Sequence, residues 1–283
     1  MTIPFTNTGI ARYPPDGPMI GQERVRKKLE QFLSDTGDPG QDNLFIYGEW
    51  GSGKSRIGYQ IVSEATGTAK GWLCEQDTGY TNQPLFDDLD QTVLPIRIVL
   101  SDFVDEIDEN TTAYHAFNEA VDQIIDGSTE SASHLQDQLS DYGVSEIDLQ
   151  SARTSAAGPQ DKFESYIDIL YRDGNVDRVA IIVDEVEQVD SATDISPDEV
   201  DSSGVSRRRL RTFFEGLKRA VNHIDDDNAF DFVLLTTKNL ERTVNSIGGF
   251  ERRKDEVDIR DPTVEQALTL TNELATEYGF EAP

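Results

Sequence analysis

The chain is predicted to fold as a three-layer α/β unit around a mainly parallel, five-stranded sheet. Three observations lead there. Apolar strand-like runs alternate with helix-like stretches along the 283 residues, the pattern that parallel sheets with helices on both faces produce. The run Leu44 to Tyr47 leads through a glycine-rich turn straight into a helical stretch. A second run, Val179 to Val183, is followed by the acids Asp184 and Glu185.

Taken in order, residues 1–18 hold Pro4, Pro14, Pro15 and Pro18 and read as an extended lead-in. Ile20-Gly21-Gln22 is expected to open a helix, because Val25, Leu29, Phe32 and Leu33 then form an amphipathic stripe. Gly37-Asp38-Pro39-Gly40 ends it. Leu44 to Tyr47 is the first strand, and Ile57, Ile61, Val62 and Ala65 mark the helix behind it. Residues 67–92 are polar and glycine-dotted and are expected to be a long loop. Leu94 to Leu100 is the next strand, with its proline near the start, where one is tolerated. Tyr114, Phe117, Val121, Ile124 and Ile125 mark a helix, and residues 126–159 an acidic, serine-rich insertion with a short helix near His134–Leu139. Phe163, Tyr166, Ile167, Leu170 and Tyr171 mark another helix.

Val179 to Val183 is the most strand-like run, uniformly apolar as expected of a strand buried on both faces. After a serine/aspartate loop at 190–205, Leu210, Phe213, Phe214, Leu217 and Val221 give a helix. Phe230 to Leu235 is a strand, a short helix follows from about Asn239 to Ser246, and Val257 to Ile259 is a brief last strand. Val264, Leu268, Thr271, Ala275 and Tyr278 mark a closing helix.

Lys and Arg number 25 against 54 Asp and Glu, a net charge of −29. No Lys or Arg occurs between Ser101 and Gln150, so the acid is dispersed rather than gathered in a tail. The composition resembles cytoplasmic proteins of salt-in halophiles; an acidic mesophilic protein is the alternative. At molar salt the Debye length is about 3 Å, which screens the self-repulsion. The thermal midpoint is therefore expected to rise in a melting series from low to molar KCl. A flat or falling midpoint would count against that reading.

Cys74 is the only cysteine, which excludes an intrachain disulfide and a four-cysteine metal site. Met1 to Asn7 has no basic and apolar signal-peptide pattern, and no apolar run approaches 18 residues. A soluble, cytoplasmic protein without a membrane partner is expected. His115, His134 and His223 lack metal-ligand spacing.

The glycine-rich turn is Gly48-Glu49-Trp50-Gly51-Ser52-Gly53-Lys54-Ser55, which fits the phosphate-binding pattern G-x-x-x-x-G-K-[ST]. Glycines let the backbone curl so that N–H groups converge on a polyphosphate. Lys54 would set its ammonium on the β/γ-phosphates and Ser55 its hydroxyl on Mg²⁺. The following helix, entered at Arg56, would present its positive N-terminal end. These residues, 48–56, form the expected ATP-binding set. The second motif, apolar Val179 to Val183 before Asp184 and Glu185, would deliver Asp184 to the sheet's carboxyl edge to hold Mg²⁺. Glu185 would polarise the attacking water. Solvation of a strand end is the plainer reading of the same two acids.

The order Ile20-Gly21-Gln22, GEWGSGKS, VAIIVDE and VLLTTKN resembles an AAA+ P-loop ATPase over roughly residues 19–278. The likeness is nearest to origin-recognition initiators, STAND ATPases and the ATPases of BREX-type phage-exclusion systems. It implies a nucleotide-binding domain at 19–260, and at 261–283 the start of a helical lid that is reduced or incomplete, since one helix follows where several are usual. It also implies a γ-phosphate sensor after the fourth strand. Asn239 is the first choice and Thr237 the second, a polar strand exit with a helix cap being the plainer reading. An arginine finger is implied at Arg252 or Arg253, where it would neutralise charge developing on a neighbouring copy's γ-phosphate. A solvated surface pair fits those two arginines equally.

Arg207, Arg208, Arg209 and Arg211 form a dense basic run. DNA phosphate, a neighbour's nucleotide and the acidic loop 190–201 are each a fitting partner. The expected activity is ATP hydrolysis with Mg²⁺ that drives or switches action on DNA or a partner protein, in a homo-oligomer or a multi-protein complex such as a phage-defence system. Two alternatives stay open: a nucleotide-dependent binding module with little turnover, and a small-molecule kinase.

Overall fold

The computed structural model describes residues 19–34, 42–68, 71–76, 79–86, 89–100, 112–128, 130–172, 175–186, 213, 216, 229–240 and 254–277. In chain order the described elements are β1 (Met19–Ile20), α1 (Glu23–Ser34), β2 (Asp42–Tyr47), α2 (Lys54–Ala65), β3 (Trp72–Gln76), β4 (Gly79–Asn82), β5 (Val93–Val99), α3 (Thr112–Asp126), α4 (Glu130–Gln138), α5 (Glu146–Ser155), α6 (Pro159–Arg172), β6 (Arg178–Asp184), β7 (Ala229–Thr236), β8 (Lys254–Asp258) and α7 (Val264–Glu277). A 3-10 turn, Lys238–Leu240, follows β7.

Five strands build one sheet in the order β5-β6-β7-β2-β8, and every neighbouring pair is parallel. The predicted α/β fold with a five-stranded parallel sheet is therefore the observed one. Every residue of β6 is buried, because strands flank it on both sides and other elements cover both of its faces. Among the described residues β5 forms an edge, which is why it tolerates Pro95: that residue pairs there with β6 alone, opposite Ala180. The stripe of α1 is buried as its spacing predicts, at Val25, Leu29, Phe32 and Leu33. Phe163 of α6 meets Tyr114 and Phe117 of α3 edge-on, with ring centroids 5.2 and 4.9 Å apart.

Three expectations need correction. Residues 67–92 hold the β3–β4 hairpin, and β1 joins it to make a second sheet in the order β1-β3-β4. These strands are too short for a period of two to stand out; Trp72 and Cys74 are the buried pair that carries it. Ile20-Gly21-Gln22 does not open the helix. Ile20 ends β1, and Gly21 and Gln22 take left-handed backbone, φ 75° and 63°, to turn the chain into α1 at Glu23. The Gln22 amide is held there by Arg260, donating to its carbonyl at 2.5 Å and accepting from its N–H at 3.2 Å. The stripe expected on the closing helix is not buried at its start: Val264 is 79% exposed and Leu268 54%. Gln266 is buried instead. Its side chain accepts from the Thr263 N–H at 2.9 Å while Thr263 Oγ1 accepts from the Gln266 N–H, a reciprocal helix cap.

The acidic stretch 126–159 supplies α4 and α5, whose Ala132, Leu135, Leu149 and Ala152 join the common core. Ser145 caps α5 by accepting from the Asp148 N–H. The helix expected around Leu210 to Val221 lies outside the described residues except for Gly216 and the buried Phe213, both helical. Of the short helix expected from Asn239, residues beyond Leu240 lie outside them as well.

Candidate phosphate and metal site

Because all five strands are parallel, their carboxyl ends share one edge, and Tyr47, Val99, Asp184, Thr236 and Asp258 end there. β7 lies between β2 and β6. At about 4.8 Å per strand step, the phosphate loop and Asp184 leave the sheet roughly 10 Å apart. The loop crosses that gap over β7. The Gly48 N–H donates to the Thr236 carbonyl at 3.0 Å, and the first turn of α2 then meets the end of β6 through Ser55 and Asp184.

The loop's glycines are required by its shape. A Cβ on Gly48 would sit 2.1 Å from Ser52 Oγ. Gly53, the residue before α2, has φ 97°, a conformation that L side chains rarely adopt. Gly51 turns at φ 80°. Glu49 and Trp50 are exposed, Trp50 by 70%. Lys54 is buried, and its ammonium donates to the carbonyls of Gly48 and Glu49 at 2.9 and 3.2 Å. It therefore sits inside the curl of the loop that a phosphate would face. Arg56 is half-buried, and desolvation pushes its guanidinium down to about 10.

Ser55, in the first turn of α2, donates its hydroxyl to Asp184 Oδ1 at 3.2 Å, across 129 positions of sequence. The two motifs thus meet. Asp184 is fully buried, and its Oδ1 also accepts the Glu185 N–H at 2.9 Å. Glu185 is buried with a left-handed backbone, φ 57°, uncommon for a residue with a side chain. That turn takes the chain out of strand geometry directly after Asp184. Such conformations persist where the surroundings over-determine them, and they concentrate at functional sites.

The pair Ser55 and Asp184 fits magnesium by donor type and spacing. Both donors are oxygens, and adjacent oxygens about 2.1 Å from an octahedral Mg²⁺ lie about 3 Å from each other. Among the described residues there is no cluster of three or more His, Cys, Asp or Glu that would hold a metal by itself. Phosphate oxygens and water would complete the shell, as is usual for this ion.

Two charged residues at this edge are not singled out by motif reading. Arg97 of β5 pairs with Asp184 Oδ2 at 2.5 Å. The signal was an arginine inside Leu94 to Leu100, an otherwise apolar strand, where burial demands a partner. The second is Lys238, which pairs with Asp258 at 2.8 Å and ties the ends of β7 and β8 together. Thr237 is half-buried beside this edge. Asn239 lies in the 3-10 turn, and its side chain lies outside the described structure. Arg252 and Arg253 lie outside the described residues, as do Arg207, Arg208, Arg209, Arg211 and His223.

No family model matches the chain, and no curated protein does. Among solved structures, the chain is similar to that of the Aeropyrum pernix ORC1 protein in complex with DNA, with 12% identity and a TM-score of 0.46. The likeness covers 90% of this chain and 48% of that one, so this chain spans about half the length of that protein. A likeness this loose bears on neither activity nor site residues.

Proposed function

We propose that this chain is an AAA+-like ATPase that binds ATP with Mg²⁺ on residues 48–56 and hydrolyses it. The observation that carries the reading is the 3.2 Å hydrogen bond between Ser55 and Asp184, which joins a complete phosphate-binding motif to an acid-tipped buried strand. Bound magnesium would neutralise phosphate charge and orient the γ-phosphate. The chain's own residues do the rest. Loop N–H groups and Lys54 bind the phosphates, Ser55 and Asp184 hold the metal, and Glu185 takes the proton of the attacking water. Asn239 or Thr237 is proposed to sense the γ-phosphate, and Arg252 or Arg253 to reach a neighbouring copy's nucleotide.

The work is proposed to fall on DNA or a partner protein, within an oligomer or multi-protein complex of the cytoplasm such as a phage-defence system. The resemblance of motif order and the run Arg207 to Arg211 support that part, and the acidic composition supports a high-salt cytoplasm. Among the described residues, no helix is long and apolar enough to cross a membrane.

The direct test is ATP binding by Lys54→Ala. Hydrogen bonds from a charged group contribute about 1.5–3 kcal/mol, so the affinity should fall by about 10- to 100-fold. Equal affinity in a folded variant would sink the proposal. The binding-module alternative is decided by steady-state phosphate release.

A further inference from the structure

Arg97 enters the site from β5, a strand outside both motifs. The register sets Arg97 opposite Ile182 and Val99 opposite Asp184, so the side chain must run about two residues toward the carboxyl edge to reach Asp184. Its path is built for it. The guanidinium carbon lies 4.0 Å from the centroid of the Tyr59 ring on α2. The neighbouring residue, Gly58, leaves the space. A Cβ there would come 3.1 Å from Arg97 Nε and 3.0 Å from Leu235 Cδ1. The Arg97 side chain is 12% exposed and that of Asp184 is fully buried, so each charge is costly without the other.

The charge count around Asp184 has a consequence. Arg97 engages Oδ2, while Ser55 and the Glu185 N–H engage Oδ1. Ser55 is neutral, and the Arg97 guanidinium brings a positive charge. The pair that would hold a divalent cation therefore has its one negative charge already cancelled. A bare cation meets a buried carboxylate whose charge Arg97 already balances. A nucleotide triphosphate brings several further negative charges.

We infer that Arg97 is a positioning residue that makes metal binding conditional on nucleotide: it aims the Asp184 carboxylate at Ser55 and cancels its charge until phosphate oxygens arrive. The inference rests on the reading of Ser55 and Asp184 as the metal-holding pair. A purely structural tether would give a different result, since losing it would cost stability and leave the cation affinity unchanged.

The test is Mn²⁺ binding to the whole chain, read by electron paramagnetic resonance at fixed high ionic strength. The many surface carboxylates also take up cations, so the site is isolated as the difference that Asp184→Asn removes. Nucleotide-free wild type should match Asp184→Asn, and ATP should bring Asp184-dependent binding at least about tenfold tighter. Arg97→Gln without nucleotide should gain Asp184-dependent binding, also by at least about tenfold, with the gain lost in the double variant Arg97→Gln/Asp184→Asn. The inference is overturned if nucleotide-free wild type binds Mn²⁺ through Asp184 about as tightly as with ATP. It is equally overturned if folded Arg97→Gln binds no tighter than wild type. Should Arg97→Gln not fold, Arg97→Met, which fills the same space without the charge, is measured in its place on the same criteria. ATP binding in EDTA, followed by the fluorescence of exposed Trp50 in wild type and Lys54→Ala, judges the proposed function separately. The nucleotide-free arms need no ATP and judge Arg97 by themselves.

Discussion

Glu185→Gln is expected to slow phosphate release from ATP by about 100-fold or more, while ATP binding stays within about threefold of wild type. Positioned general bases contribute about 10²–10⁴-fold. The substitution keeps the shape of the side chain and removes its charge and basicity. Three features of the chain fix the position of Glu185. β6 delivers it to the carboxyl edge of the sheet, its backbone turns left-handed at φ 57°, and its N–H is held by Asp184 Oδ1 at 2.9 Å. Asp184 in turn accepts from Ser55, so the residue proposed to activate water is braced against the pair proposed to hold the metal. Steady-state release and Trp50 fluorescence titration together separate turnover from binding. Wild type turning over no faster than the variant would remove the enzyme reading and leave a nucleotide-dependent binding module.

Asp231→Ala is expected to destabilise the fold by about 3–5 kcal/mol, the cost of leaving one partner of a buried ion pair uncompensated. Asp231 on β7 is 1% exposed in its side chain and pairs with Arg178 of β6 at 2.8 Å. Arg178 also donates to the Phe32 carbonyl of α1 at 3.0 Å, so the arginine binds a helix to the sheet's amino edge. That edge is opposite the candidate site. Denaturant unfolding should show a lower midpoint with an unchanged slope. Replacing both partners with apolar residues of similar volume should recover much of the loss, because a buried pair often does no better than packed hydrocarbon. A loss below about 1 kcal/mol for Asp231→Ala would mean that water reaches the arginine.

Long periodic elements were legible from the sequence, and short ones were not. α1 and β6 carry enough apolar residues at one spacing to declare themselves. β1, β3 and β4 have two, five and four residues, and Gly21 and Gln22 look like a helix start until pairing with β3 turns the chain away. The closing helix shows the reverse error. Its stripe is real in the sequence, yet Val264 and Leu268 face outward while the polar Gln266 is buried against Gly21. Spacing identifies a helix but not the surface that it meets.

The candidate site divides in the same way. The phosphate loop and the acids at the end of β6 could be read directly, because glycines, a lysine, a hydroxyl and an acid at set positions along a strand and a helix are local requirements of binding phosphate and metal. That these pieces touch was decided by strand order, which puts β7 between them and carries Ser55 over it to Asp184. The role of Arg97 was decided there too. Its partner lies 87 residues away, on a neighbouring strand that only the assembled sheet brings alongside. Local chemistry is written in neighbouring residues, whereas the pairing of distant charges follows from which strands pack together, and that is settled by burial over the whole core.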